Sequence, residues 1–523
     1  MNSKRSGKKY KVFIVLITLL IGLFVVTPTA DALSLPKTWV SEPETVVAPA
    51  IETLLYYKKA TLYPDREDLT RVSNAELDKE FIYKEAIGVP TYEIKLEAQD
   101  NANEERMQRY DDEMPRSEAI EDIHYLANIL RKGFAGLNLF GGKEAVIEME
   151  KHAISVLPER GMTYRDFEDL LILETGFIED MHFWVDYQAS VLSAEMLSVF
   201  SRWQDDFDDV ELRVNKAQIA TNIRLKRLAN GEYFDLDEEK TLELSDDFPA
   251  QIEPFMSDDF SIHLTLVQVS NYRPLKTLKS VRYKDGSEKA IKWDTIYDNY
   301  LHTEQPGGVA EVFDNVYYVD LRGYVFRDPW EIDFGTLAKD SLSYPYMVVD
   351  LRGNTGGKDM PFESFLQNLF RYDGYNLFDR AYYRVVPITP TEYADSIRDG
   401  WQDQLIGENI SFLPPEPRVL TSPHKLVVIL MDNGTASAGE YAVGSFRSGE
   451  NVIVIGANTQ GLATSSVGEL YVLPHSRIPL RIPMLLNYWH PDYYSVNEGF
   501  RPDIWTYDFD VSRLIDYLNA QAD

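Results

Sequence analysis

The sequence predicts an α/β protein: a layered core with a mixed sheet and flanking helices, preceded by a helical domain and an intermediate mixed region. Three observations predict it. Short β-branched runs at about 315–321, 346–351, 425–431 and 451–456 alternate with helical patterns such as 361–371 and 438–447, as in a sheet covered by helices. After Ser117, the apolar positions Ile120, Ile123, Ala127 and Leu130 recur at helical spacing, and further helix is expected at about 143–156 and 163–179. Residues 191–310 start helical and become strand-like around 262–269 and 289–293.

Taken in order, the chain opens with a segment, residues 1–32, that reads as a secretory signal. Lys4, Arg5, Lys8, Lys9 and Lys11 precede the apolar run Val12 to Val26, and Pro28 and Ala30-Asp-Ala32 supply a cleavage site. An uncleaved membrane anchor is the alternative, but the run is short and the small residues are well placed, so no integral anchor is expected after cleavage. Residues 33–110 form a polar extension that ends in the charged linker Gln99 to Arg106. A helical domain at 111–190, an intermediate α+β region at 191–310 and the α/β core at 311–523 complete the expected organisation. No internal repeat appears, and the two Asp-Leu-Arg-Gly runs at 320 and 350 read as similar strand ends.

Composition limits the partners. With 84 acidic against 52 basic residues the formal charge is −32, and removing the signal's five basic residues and one acid takes it to about −36. Such a surface argues against nucleic acid or anionic lipid as partners. The chain has no cysteine, so an exported fold is stabilised without disulfides and has no lipid-modified cysteine to tether it. A secreted or cell-wall-associated protein is expected. Acid clusters such as Asp205 to Asp209 and Asp235 to Glu239 lack ordered ligand spacing, so no metal or other cofactor is expected.

Chemistry concentrates at residues 432–440, Asp-Asn-Gly-Thr-Ala-Ser-Ala-Gly-Glu. The apolar run Lys425 to Met431 reads as a strand buried on both faces, small residues make a turn, and a helical pattern follows from Ala438. Ser437 and the Ala438 amide then sit at a helix N-terminus, where free N–H groups and the dipole favour developing negative charge. An N-capping serine would look the same on this segment alone. A second strand, Tyr346 to Arg352, runs into the loop Gly353-Asn-Thr-Gly-Gly357, which is able to present bare backbone N–H groups of the kind an oxyanion hole needs.

Together, Asp350-Leu-Arg-Gly-Asn-Thr-Gly-Gly357 and Thr435-Ala-Ser-Ala-Gly-Glu440 resemble the S41 serine peptidases, the family of C-terminal processing (tail-specific) and tricorn-like proteases. The resemblance covers roughly 311–506, and more weakly 117–190. It implies a crotonase/ClpP-like catalytic core, protein or peptide substrates, Ser437 as nucleophile, and an oxyanion hole formed by the Ala438 amide with one of Gly356 or Gly357. One departure matters. The C-terminal processing proteases place a general-base lysine in a Thr-x-Gly-Lys turn, which here reads Thr459-Gln-Gly-Leu462, and no lysine follows Lys425. A histidine is the natural replacement, since its unperturbed pKa is about 6.5.

His182 is the leading candidate, in Phe177-Ile-Glu-Asp-Met-His-Phe-Trp-Val185, whose Asp-x-His element resembles that of the tricorn-like Ser-His-Glu members. His490, in Tyr488-Trp-His-Pro-Asp492, is the alternative base. For the carboxylate that orients the histidine, the candidate is Glu498, beside Gly499-Phe-Arg-Pro-Asp503, which resembles the family's Gly-x-x-Pro-Asp turn. Glu440 is a weaker candidate because helix-dipole complementarity alone explains an acid in a first turn. If His182 belongs to the site, it reaches across from the helical domain and the active site lies between that domain and the sheet. No PDZ carboxylate-binding loop is evident. The sequence therefore points to a secreted serine endopeptidase; a catalytically inactive S41-like ligand- or protein-binding protein and an acidic extracellular scaffold are the alternatives.

Overall fold

The computed structural model describes residue 55 and residues 108–521, apart from 179, 181, 187–210, 214–216, 246–247, 249, 271–274, 298–308, 323–332, 358–359, 372–379, 385–404, 407–408, 413–419, 448, 490–492, 497 and 508–509. The expected signal and linker, the helical start of the 191–310 region and the alternative base His490 lie outside the described residues.

Helices α1 (Arg116–Gly133), α2 (Gly142–Val156) and α3 (Tyr164–Glu174) lead into a two-residue strand, β1 (Trp184–Val185). Next come β2 (Ala217–Thr221), β3 (Gln251–Met256), β4 (Ile262–Ser270), β5 (Trp293–Tyr297), β6 (Val309–Phe313) and β7 (Val316–Asp320). Then follow α4 (Phe334–Ser341), β8 (Tyr346–Asp350), α5 (Met360–Phe370), β9 (Leu426–Met431), α6 (Ala438–Phe446) and β10 (Val452–Gly456). The chain ends with a hairpin of β11 (Ser465–Val472) and β12 (Pro479–Tyr488), then β13 (Ile504–Thr506) and α7 (Val511–Ala520). The fold is mixed α/β, as the sequence predicts.

The central sheet runs β6-β7-β8-β9-β10-β13-β3-β4. From β7 to β3 every neighbouring pair is parallel, with antiparallel pairs at the two ends of this run. Parallel strands need both faces covered, which is why β9, Leu-Val-Val-Ile-Leu-Met, is apolar at every position. Alternation sends Val427, Ile429 and Met431 to the core beneath α4, α5 and α6, and Leu426, Val428 and Leu430 to the opposite core under α7. The strand-like run at 289–293 covers the end of a short strand, Glu288–Ala290, and the start of β5 at Trp293, with Ile291 and Lys292 between them.

A smaller sheet carries the hairpin, with β1 paired antiparallel to β12 through Val185 opposite Leu480 and Trp184 opposite Arg481. The three helices share one core with this hairpin: Ile123, Leu126, Leu130, Phe167 and Leu171 pack with Tyr471, Leu473, Leu480 and Ile482. Polar contacts lock the contact. The buried Asp122 of α1 accepts from His475 N at 3.0 Å and Ser476 N at 2.8 Å, Ala135 N donates to Pro483 O at 3.0 Å, and Asp186 N donates to Pro479 O at 2.9 Å. Helix α3 begins at its Thr163 cap, whose hydroxyl accepts from Asp166 N at 3.1 Å, and stops at Glu174, before Thr175 and Gly176. His182 lies between the end of α3 and β1 in sequence, two residues before β1.

Candidate active site

The turn after β9 interlocks with the loop after β8. Asp432 Oδ1 accepts from Gly353 N and Gly434 N, each at 2.8 Å, the Thr435 hydroxyl donates to Leu351 O at 2.8 Å, and Ala436 N donates to Asn354 O at 2.8 Å. The two segments approach so closely that a Cβ on Gly434 would lie 2.8 Å from Gly353 Cα, which explains the small residues in both. Asn354 braces the loop from within, donating to Leu321 O at 2.7 Å and accepting from Gly356 N at 2.9 Å.

Ser437 stands at the end of this turn with φ 49° and ψ −117°, a conformation that costs a residue bearing a Cβ about 1–3 kcal/mol. Glu440, three residues on, holds the turn in that shape. Its carboxylate accepts from Ser437 N at 3.1 Å, Leu462 N at 2.6 Å, Gly461 N at 2.7 Å and the Thr459 hydroxyl at 2.5 Å, while fully buried. Burial pushes its carboxyl upward against the pull of these donors. The Thr459-Gln-Gly-Leu462 turn, where the processing proteases carry their lysine, therefore serves here as a backbone cradle for Glu440.

His182 meets Ser437 from the other side, with Nε2 3.2 Å from Ser437 Oγ. Two bonds fix the loop that presents it: Asp180 Oδ1 accepts from His182 N at 2.9 Å and from the Ser465 hydroxyl, at the start of β11, at 2.8 Å. Burial pushes the imidazole down to about 4, and the nearby positive charge of Arg481 adds to that. Burial likewise pushes the Asp180 carboxyl up to about 6, opposed by Ser465, the His182 amide and Arg481. At neutral pH both shifts leave His182 a free base and Asp180 a carboxylate.

The oxyanion candidates are also sorted by geometry. A Cβ on Gly356, whose φ is +100°, would lie 2.8 Å from Ser437 Cβ and 2.9 Å from Ala438 N, so the loop sits against the serine. The Gly356 amide is already given to Asn354. Among the described residues no acceptor engages the amides of Gly357 or of Ala438, the first residue of α6.

Glu498 is not joined to His182 by any hydrogen bond. Its carboxylate, one-third exposed, accepts from Arg501 at 3.3 Å, and its amide donates to Ser495 O at 3.2 Å. The neighbouring Gly499 to Asp503 turn is structural: Phe500 N donates to the Thr459 hydroxyl at 2.7 Å, and the buried Asp503 pairs with Arg447 at 2.8 Å and accepts from Val454 N at 2.8 Å. Two residues of the site escape a sequence reading that stops at reactive side chains, namely Glu440 as the base of the turn and Asp180 as the brace of His182. The Asp-x-His spacing and the Glu three residues after the serine were the available signals.

Residues 324–506 match the model of Peptidase family S41. The Nisin-resistance protein of Lactococcus lactis subsp. lactis is 23% identical over 249 residues, which span 46% of this chain and 72% of that protein. Among solved structures, mature CPAF aligns over 78% of this chain and 96% of its own, with a TM-score of 0.36 and 11% identity. The photosystem II D1 C-terminal processing protease aligns over 75% and 93%, with a TM-score of 0.33 and 11% identity. The family match includes both the glycine loop and Ser437, and it supports a peptidase. Among the described residues no helix is long and apolar enough to cross a membrane.

Proposed function

We propose that this protein is a serine endopeptidase that hydrolyses peptide bonds through an acyl-enzyme, with Ser437 as nucleophile and His182 as general base. Ser437 Oγ attacks the peptide carbonyl carbon while its proton passes to His182 Nε2. The oxyanion accepts from the Ala438 and Gly357 amides, and collapse breaks the C–N bond as Nε2 returns the proton to the leaving amine. Water then attacks the ester carbonyl as Nε2 takes its proton, and collapse breaks the acyl C–Oγ bond as Nε2 returns that proton to Ser437 Oγ, releasing the acid product and restoring the free serine and imidazole.

The observation that carries this proposal is the 3.2 Å approach of His182 Nε2 to a serine held at positive φ beside unengaged amides. A ligand carrier has no use for a strained serine facing a free imidazole, so the hydrolase is favoured over the inactive binder. Export to the cell exterior is proposed from the lysine-rich start and the apolar run of residues 1–32.

The test is cleavage of fluorescently labelled casein by the wild type, Ser437→Ala and His182→Ala. Each variant is expected to lose at least about 10³-fold in rate while unfolding within a few degrees of the wild type. Full activity in either variant would refute the assignment of that residue.

A further inference from the structure

We infer that Asp180 is the residue that positions His182 and stabilises its protonated form, completing a Ser437–His182–Asp180 relay in which Glu498 has no part; this rests on the Ser437–His182 function proposed above. Among the described residues, two buried polar atoms in one loop have no hydrogen-bond partner: Asp180 Oδ2 and His182 Nδ1. A buried polar atom left unpaired costs about 1–3 kcal/mol, and these two are complementary, an acceptor and the nitrogen that becomes a donor. The rest of each side chain is committed. Asp180 Oδ1 holds His182 N and the Ser465 hydroxyl, and His182 Nε2 faces Ser437. A proton on Nε2 makes Nδ1–H an obligatory donor, and Asp180 Oδ2, two residues away on the same braced loop, is the acceptor with capacity to spare. Glu498 is instead paired with Arg501.

The groups around this pair set its titration. Arg481 of β12 acts on both members, Ser465 of β11 donates to Asp180, and Tyr494 senses both Asp180 and the buried Glu440. Because His182 is neutral well below pH 6, the acidic limb of activity follows ionisation of Asp180.

The experiment measures the rate of Ser437 labelling by a fluorophosphonate across the acidic to mildly alkaline range, in the wild type, Asp180→Asn, Ser465→Ala, Glu498→Gln and Ser437→Ala. The wild type is expected to show a limb near the Asp180 value of about 6. Asp180→Asn, which preserves shape, is expected to slow labelling by about 10²–10⁴-fold and to lose that limb. Ser465→Ala, which removes a donor to the carboxylate, moves the limb upward, and it carries the test if Asp180→Asn fails to fold. An unmoved limb in both variants, or a limb removed by Glu498→Gln and kept in Asp180→Asn, would overturn the inference. Labelling that survives in Ser437→Ala defeats the proposed function itself; labelling lost there but unaffected by Asp180→Asn defeats only the role of Asp180.

Discussion

Glu440 accepts four hydrogen bonds while fully buried, three of them from backbone amides that have no other role at the turn. Glu440→Ala strands these donors, so a loss of about 3 kcal/mol in urea unfolding is expected, together with loss of Ser437 labelling. A variant as stable as the wild type would show that the turn keeps its shape without this carboxylate. At the same scale, the Asp180–His182 pair makes opposing contributions to stability against pH. The depressed His182 value means its contribution is present above about 6.5 and lost as pH falls through about 4. The raised Asp180 value means its contribution is present below about 3.8 and lost as pH rises through about 6. Each slope is worth about 3 kcal/mol and they largely cancel in the wild type. Denaturant titrations between pH 4 and 6.5 are therefore expected to show stability rising with pH in Asp180→Asn and falling with pH in His182→Ala. Identical slopes in the two variants would contradict these shifts.

Elements position the site through two contacts, the glycine loop against the serine turn and the helical segment against the hairpin. Gly356→Ala places a methyl 2.8 Å from both Ala436 O and Ser437 Cβ at a φ of +100°, so it is expected to displace the serine turn. Labelling should fall by at least about 10²-fold, and wild-type labelling in this variant would show the loop to be compliant. Asp122→Ala removes the acceptor for His475 N and Ser476 N where α1 meets the β11–β12 hairpin. About 2–4 kcal/mol of stability should go with it, read by thermal unfolding. Much at this scale was legible in the sequence. The alternation of β-branched runs with helical patterns located β7 to β10 to within a residue or two, and the Gly-rich and Ser-containing turns marked where they converge. The two-residue β1 left no signal, because its place is fixed by pairing with β12 about three hundred residues away. Nor did Glu440 declare itself, since an acid in a first helical turn has a sufficient local explanation in the dipole. Glu498 was singled out by a neighbouring turn whose residues turn out to brace β10 and α6.

Across the whole molecule, the central sheet gathers segments that the sequence treats as separate. Residues 251–270 join the parallel core through β13 beside β3, and the helices of 116–174 share a core with the β11–β12 hairpin. Long-range parallel pairing has no local periodicity to betray it, which is why the middle region read as its own unit. The site depends on that assembly, since Ser437 and His182 are 255 positions apart and meet at 3.2 Å. The formal charge of the chain is −32, and like charges brought together on folding repel one another. Adding sodium chloride to about 0.5 M should therefore raise the thermal midpoint by screening self-repulsion, and a falling midpoint would point to stabilising surface ion pairs instead. The most direct test of the central claim is peptide mapping by mass spectrometry after reaction of the full chain with a fluorophosphonate at neutral pH. Expected is a single adduct on Ser437 that disappears in His182→Ala; an adduct on another residue, or one on Ser437 that forms at the wild-type rate without His182, would contradict it.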